Sequence, residues 1–268
     1  MLAGVQAIAI KRRSGLKILV FIKRVPDTGI PIRVKPDGSD IVREESLTYV
    51  TNPYDEYAVE EALRIREKLG EGEIVAASLG DDSARDVLKN ALALGVDRAV
   101  LLRTENPDRV DGFATAKVLA DFAYNEGFNL ILTGKEAADM SDSQVPSYVA
   151  SLLGIPQASY AIGLEVNPPS LVVKRETDYG VETLELMMPA LITCEKGLNE
   201  PRLPTLRGIM AARKKEIEVV PAYVPASNHE LLLLSPPPPR EQGRILDVPV
   251  EEAVRELIRL LKEEQGIL

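Results

Sequence analysis

Cysteine and histidine are nearly missing: Cys194 and His229 are the only examples in 268 residues. A lone cysteine excludes an internal disulfide framework and any cysteine-rich zinc or iron–sulfur centre supplied by this chain alone. A reducing compartment follows, and the chain is expected in the cytoplasm. His229 lies in a proline-rich stretch, where a Ser-His-Asp or Cys-His engine would have nothing to hold its geometry. Neither GxxxxGK[ST] nor GxGxxG occurs, so neither a P-loop kinase nor a common dinucleotide dehydrogenase is supported. Positive charge is in deficit, with 32 Lys and Arg against 41 Asp and Glu, a net charge of −9. That balance argues against nucleic acid or an anionic membrane as partner, the cluster from Ala212 to Lys215 being a local exception. The apolar run near the N-terminus is too short to span a bilayer and precedes its charges, the reverse of a secretory signal. Residues 1–16 are therefore expected to be an unstructured extension, with no membrane insertion.

What is present is a rhythm. KILVF within Lys17 to Lys23 is a continuous apolar run of strand length, as in a parallel strand buried on both faces. Ile32 to Val34 and Ile41 to Val42 flank a Pro-Asp-Gly turn and predict a surface hairpin. From Asn52 a helical stripe of Ala58, Ala62, Ile65 and Leu69 begins, with Asn52 or Asp55 placed to cap it. Strand and helix then alternate: Ile74 to Ser78, Asp81 to Leu94, Ala99 to Leu102, Asp111 to Asn125, Leu130 to Thr133. Such alternation predicts an α/β fold with a doubly wound, mostly parallel, Rossmann-like sheet. After a short helix ending at Leu153, strands at Tyr160 to Val166, Leu171 to Arg175 and Glu182 to Met187 read as an antiparallel meander. Ala190 to Cys194 is a further buried strand, and Arg207 to Lys215 a helix after the loop Asn199 to Thr205. Three units result: residues 1–16 as extension, 17–220 as an α/β nucleotide-binding domain, and 221–268 as an extended arm ending in a helix. The helical stripe of that last segment, Val250, Val254, Leu257 and Leu261, should dock on this domain or on a partner chain.

In an open α/β sheet, ligands settle at the carboxyl ends of strands near the point where strand order reverses. Four segments have that address: Phe21 to Asp27, Asn52 to Asp55, Leu79 to Asp82, and Gly134 to Val145. The last leaves a strand and enters a helix, so its backbone N–H groups with Ser141 and Ser143 could surround a phosphate. An ordinary helix-capping loop uses the same residue types, and spacing alone leaves both open. The adjacent pairs Glu60–Glu61 and Asp81–Asp82 point in different directions on a helix and are expected to be solvated. Glu176, at a strand end, is a candidate polar group at an interface, and Met187 and Met188 are expected to fill the core.

Several stretches in order resemble the β subunits of electron-transfer flavoproteins from about Leu16 to Val220. They are IKRVPD with IRVKPDG, NPYDEYAVEEALRIRE, ALALGVDRAVLL, LTGKEAAD followed by Gln144, LLGIPQAS, and NEPRLPTLRGIMAARKKEIEV. The resemblance implies AMP bound structurally, largely through backbone groups, at Phe21, at Asn52, Pro53, Tyr54 and Asp55, and at Leu79. It implies the same for Gly134, Lys135, Glu136, Ala137, Ala138, Asp139, Met140, Ser141, Asp142, Ser143, Gln144 and Val145. It implies FAD held mostly by an α subunit with this chain lining one side, near Thr28 and Glu176. A recognition loop is implied at Arg202 to Ala211, where Leu206, with Arg202, Pro204 and Ile209 around it, would dock acyl-CoA or other dehydrogenases. Electrons would pass on to a quinone oxidoreductase or similar acceptor.

Departures accompany the match. Thr28 stands where many members place a tyrosine beside the flavin. Of two lysines methylated near the loop in some members, one aligns with Ala211 and only Lys214 is present. The PDT after the first strand and NPYDEYA resemble the electron-bifurcating branch, in which FAD replaces AMP and NADH is the donor. NEPRLPTL and the missing DGDTAQVGP run resemble the ordinary branch. A stand-alone adenine-nucleotide sensor is the third reading.

Overall fold

A computed structural model describes residues 15–43, 47–105, 107, 110–239, 243–264 and 266–267. The extension expected for residues 1–16 lies, up to residue 14, outside them. Leu16 is already part of the fold: it is buried, and its carbonyl accepts the Glu73 N–H at 2.9 Å.

Strand β1 (Lys17–Phe21) is buried at all five positions, as a strand covered on both faces must be. It pairs in parallel with β4 (Glu73–Gly80) on one side and β6 (Leu130–Gly134) on the other. Beyond β4 lie β5 (Arg98–Arg103) and β11 (Glu218–Pro221); beyond β6 lie β10 (Ala190–Cys194) and β7 (Gln157–Asn167). All seven run parallel. The antiparallel β8 (Ser170–Thr177) and β9 (Gly180–Met187) complete a nine-stranded sheet in the order β11-β5-β4-β1-β6-β10-β7-β8-β9. The α/β doubly wound fold with its meander is therefore present as expected.

Helices cover both faces. The alternate strand residues Ile18, Val20, Ile74, Ala76, Leu130 and Leu132 pack with α1 (Pro53–Leu69) and α2 (Arg85–Leu94) through Leu63 and Leu88. The other parity, Leu19, Phe21, Val75 and Ile131, packs with α3 (Gly112–Glu126) and α4 (Val145–Leu153) through Leu119 and Val149. Period-two strands against amphipathic helices thus bury a core on each side of the sheet. Ser78, on β4 and 1% exposed, leaves its hydroxyl without a partner among the described residues.

Three short elements exceed the sequence expectation. β2 (Arg24–Pro26) pairs antiparallel with β3 (Tyr49–Thr51), closing the excursion between β1 and α1, and β11 extends the sheet beyond β5. The expected hairpin at 32–42 is only a single bridge, Val34 to Ile41, around the turn. The segment read as helix from Asp81 begins as a 3-10 turn at Asp82–Ala84, because the Asp81 carboxylate takes the Ser83 N–H, and α2 starts at Arg85. Met188 packs against the core, but Met187 is 56% exposed because β9 is an edge strand, which corrects the reading of both as core.

α5 (Leu206–Lys214) lies against α2, with Lys89 donating to the terminal carbonyls of Ala212 and Lys215. The arm after β11 is held at two points along the carboxyl edge. Asp111, which caps α3, accepts the N–H groups of Asn228 and His229, and the Leu234 N–H reaches the Gly38 carbonyl at 2.8 Å. The terminal helix α6 (Val250–Glu263) buries no residue, and Val250 is 74% exposed, so its stripe is not covered by this domain. Among the described residues no helix is long and apolar enough to cross a membrane.

Candidate nucleotide cradle and docking loop

Chain order reverses at β1: the path goes from β1 to β4 and β5 on one side, then crosses to β6 on the other. Phe21, Leu79 and Gly134 end three adjacent parallel strands on the same edge, so three of the four predicted segments are neighbours there. The fourth, Asn52 to Asp55, joins them through side chains. Asp55 is buried in the first turn of α1 and accepts the Lys23 N–H at 2.7 Å and the Gly134 N–H at 2.9 Å. Asn52, 1% exposed, donates to the Glu136 carbonyl at 2.8 Å and accepts the Ala138 N–H at 3.0 Å. Neither caps α1: Asn52 occupies the cap position but makes no capping bond with its side chain. Both are instead spent on two other loops, because buried backbone groups at the strand ends need partners and these are in reach. A salt bridge from Lys23 to Asp139 at 2.7 Å ties the same loops on their outer side.

Burial dominates the Asp55 carboxyl and pushes its pKa up to about 7, against the opposing pull of the N–H donors of Lys23 and Gly134 and of the Asn52 side chain. Gly134 must be glycine for space: an added Cβ would stand 2.6 Å from Asp55 Oδ1 and from Tyr54 Cβ.

Held in this way, the Gly134–Val145 loop is exposed over much of residues 139–144. Ser141 and Ser143 adopt left-handed φ of 51° and 54°, uncommon for residues other than glycine. The N–H groups of Asp142, Ser143 and Val145 find no partner among the described residues, and they lie at the N-terminus of α4. Alternating backbone hands with unpaired amides beside a helix start are the pattern from which anion-binding concavities are made. The donor set fits the phosphate end of an adenine nucleotide held mainly by backbone. Pro53 and Tyr54 begin α1; Lys135, Glu136, Ala137 and Ala138 are half-buried, whereas Asp139, Met140, Ser141, Asp142 and Gln144 are exposed.

Next to the cradle the fold assembles a group the sequence did not single out. Lys135 Nζ pairs with Glu195 at 2.8 Å and lies 4.8 Å from the Tyr54 ring centre and 5.9 Å from that of Tyr160. The hydrogen bond that Lys135 donates to the Glu195 carboxylate raises the Lys135 pKa. Tyr160 has a left-handed φ of 58° at a bulge in β7, opposite β10. Tyr54 and Lys135 were named through the family resemblance; for Glu195 the only sequence signal was that it follows a buried strand. Thr28 is exposed in the turn after β2, and Glu176 is exposed on β8; no hydrogen bond joins either to the cradle.

The middle and last turns of α1 hold the Asn199–Thr205 loop. Glu60 and Glu61, expected in solvent, are 3% and 7% exposed, because Arg202 and Asn199 from that loop fold over them. Leu206, first residue of α5, is 77% exposed and Leu203 87%, so neither packs into this domain. Pro204 is half-buried, and Ile209 is 37% exposed on the same helix.

The match to known proteins covers both regions. A family model described as "Electron transfer flavoprotein domain" fits residues 40–225. The mitochondrial electron transfer flavoprotein subunit beta of Oryza sativa is 40% identical over 259 residues, covering 94% of this chain and all of that protein.

This chain belongs to the electron-transfer flavoprotein β-subunit family.

Two further members show the breadth of the relation. The subunit beta of Homo sapiens is 40% identical over 207 residues, 76% of this chain and 81% of that one. That of Bacillus subtilis is 34% identical over 261 residues, 94% of this chain and all of the relative. The family model takes in α1, the Gly134–Val145 loop and the Leu206 helix together.

Proposed function

We propose that this chain is the β subunit of a heterodimeric electron-transfer flavoprotein, holding AMP structurally in the strand-end cradle and docking client dehydrogenases through Leu206. The observation that carries the reading is the pairing of two features on α1. Its start, through Asn52 and Asp55, shapes a loop with amides unpaired among the described residues, and its middle, through Glu60 and Glu61, holds the loop that leads to an exposed leucine. A built anion site and a built apolar anchor suit a scaffold that binds a nucleotide and a protein rather than one that transforms a substrate.

In this reading Ser143, Val145 and the α4 N-terminus take the phosphate, while Asn52 and Asp55 hold the cradle from behind. FAD, shared with the α subunit, supplies the redox chemistry. Thr28 and Glu176 line its side of the interface, and no side chain here moves a proton for the reaction. The uncovered stripe of α6 belongs against the α subunit, whose contact would bury Val250, Val254 and Leu257. Clients are acyl-CoA or other dehydrogenases, and the acceptor is a quinone oxidoreductase or similar protein.

Extraction of nucleotides from the purified complex tests the cofactor assignment, with one FAD and one AMP per heterodimer expected. Two FAD and no AMP would move the chain to the bifurcating branch, and a homo-oligomer carrying ATP without a flavoprotein partner would make it a sensor. For docking, Leu206→Ala should raise the KM for the client dehydrogenase by about thirtyfold, the loss of roughly 2 kcal/mol from one buried leucine. Nucleotide and flavin content should stay unchanged, and an unaltered KM would end the docking claim.

A further inference from the structure

The loop bearing Leu206 is fastened to the body of the protein by one guanidinium. Arg202 donates from Nε to Glu60 Oε2 at 2.7 Å and from Nη2 to Glu60 Oε1 at 3.0 Å. It also donates from Nη1 to Glu67 Oε1 at 2.6 Å and from Nη2 to Glu67 Oε2 at 3.0 Å. Four of its five N–H groups are committed to α1, which leaves one for anything outside. Its backbone N–H adds a bond to Glu60 Oε2 at 3.2 Å, so main chain and side chain are pinned together.

The arrangement is built in depth. Glu60 is buried and is also held by Arg64 at 2.8 Å; burial works against its charge, but the bonds from Arg202 and Arg64 outweigh it and keep its pKa below the ordinary value. Beside it Asn199 donates to the Tyr57 carbonyl at 3.0 Å and to Glu61 at 2.9 Å. At the other end of the loop the Thr205 hydroxyl accepts the Gly208 N–H and starts α5. Leu206 therefore follows immediately after a segment fixed at Asn199, Arg202 and Thr205. A fork shared by two carboxylates fixes orientation as well as distance, which a single lysine charge cannot do.

Resting on the docking reading, we propose that Arg202 is a positioning residue and not a contact for the partner: by bridging Glu60 and Glu67 it sets the attitude of the loop and so the place of Leu206. A partner then meets an anchor whose ordering cost has already been met within this chain.

The test compares Arg202→Lys, Glu67→Gln and their double variant in the intact flavoprotein complex. An acyl-CoA dehydrogenase serves as electron donor, and amide hydrogen exchange is measured over residues 199–208. Glu67 has a largely exposed side chain, so its variant is expected to fold. Each single change should raise KM about fivefold without altering kcat, the double change should add little, and loop exchange should quicken, as for a bond lost within one coupled network. Two results overturn the proposal. One is loop exchange unchanged in both single variants. The other is a KM raised by Arg202→Lys but not by Glu67→Gln, which would make the guanidinium a direct contact. Leu206→Ala run alongside separates the two ideas: if it leaves KM unchanged, the docking reading fails and the exchange data alone decide the role of Arg202.

Discussion

Gly134→Ala is expected to destabilise the protein and, on the function proposed above, to empty the nucleotide cradle in one step. The new methyl carbon would stand 2.6 Å from Asp55 Oδ1 and Tyr54 Cβ and 2.8 Å from the Tyr54 carbonyl carbon. None of these is the end of a flexible side chain. Tyr54 and Asp55 lie in the first turn of α1, and Asp55 is fixed by bonds from Lys23, just after β1, and from Gly134 at the end of β6. Relief requires α1 to shift or β6 to retreat, and either breaks the bond from the Gly134 N–H to Asp55. Overpacking of this kind costs about 1–3 kcal/mol, and the buried Gly134 N–H left unpaired adds to it. A fall in melting midpoint of roughly 5–10 °C follows for a chain of this size. The purified complex should also carry well under half the AMP of the wild type. A variant that keeps its midpoint and its nucleotide would show that the cradle does not depend on this close approach.

The mutation matters because the cradle is a product of distant parts. Asp55 reaches back 32 positions to Lys23 and forward 79 to Gly134, and Asn52 reaches 84 to Glu136 and 86 to Ala138. Local spacing marked Asn52 and Asp55 only as caps, since capping uses the same side chains on nearer amides. Their strand-end address was legible, because it needs only the order of buried runs and the rule that ligands gather where that order reverses. What the residues do there was not, since it depends on which two loops flank them in space.

The same division runs through the fold. KILVF, LILTG and ALITC could be read as central strands because a strand covered on both faces must be apolar throughout. β2, β3 and β11 are three or four residues long, too short for periodicity to build up, and β2 and β11 also carry Arg24, Pro26 and Pro221. Glu60 and Glu61 look like solvent residues, and the arginine that buries Glu60 comes from 142 positions later. The exposure of Leu206 was legible from its place between Pro204 and Gly208 together with the family likeness. The ionic fork that holds its loop was not, because Arg202 in a polar loop reads as a surface charge.

Asp55→Asn tests whether the carboxyl is the clasp, and pH separates its two contributions. Asparagine keeps one acceptor for two buried donors, so either the Lys23 or the Gly134 N–H must face an amide NH2. Leaving one such donor unpaired costs about 1–3 kcal/mol. The carboxyl of wild-type Asp55 has a pKa of about 7 when folded, against 3.8 ordinarily, because burial penalises the anion. A pKa raised by folding means the native state binds the proton more tightly than the unfolded state. The associated stability is fully present below about pH 4 and is lost as pH rises toward 7, by up to about 1.4 kcal/mol per unit. Wild type should therefore lose this increment between pH 4 and 7, whereas Asp55→Asn should lack it. Urea unfolding of both proteins across pH 5 to 8 reads the difference directly. The variant should be the weaker at pH 5, with the gap narrowing as pH rises. A gap that widens instead would show that the two backbone donors keep Asp55 ionised throughout, and that the clasp is a charged one.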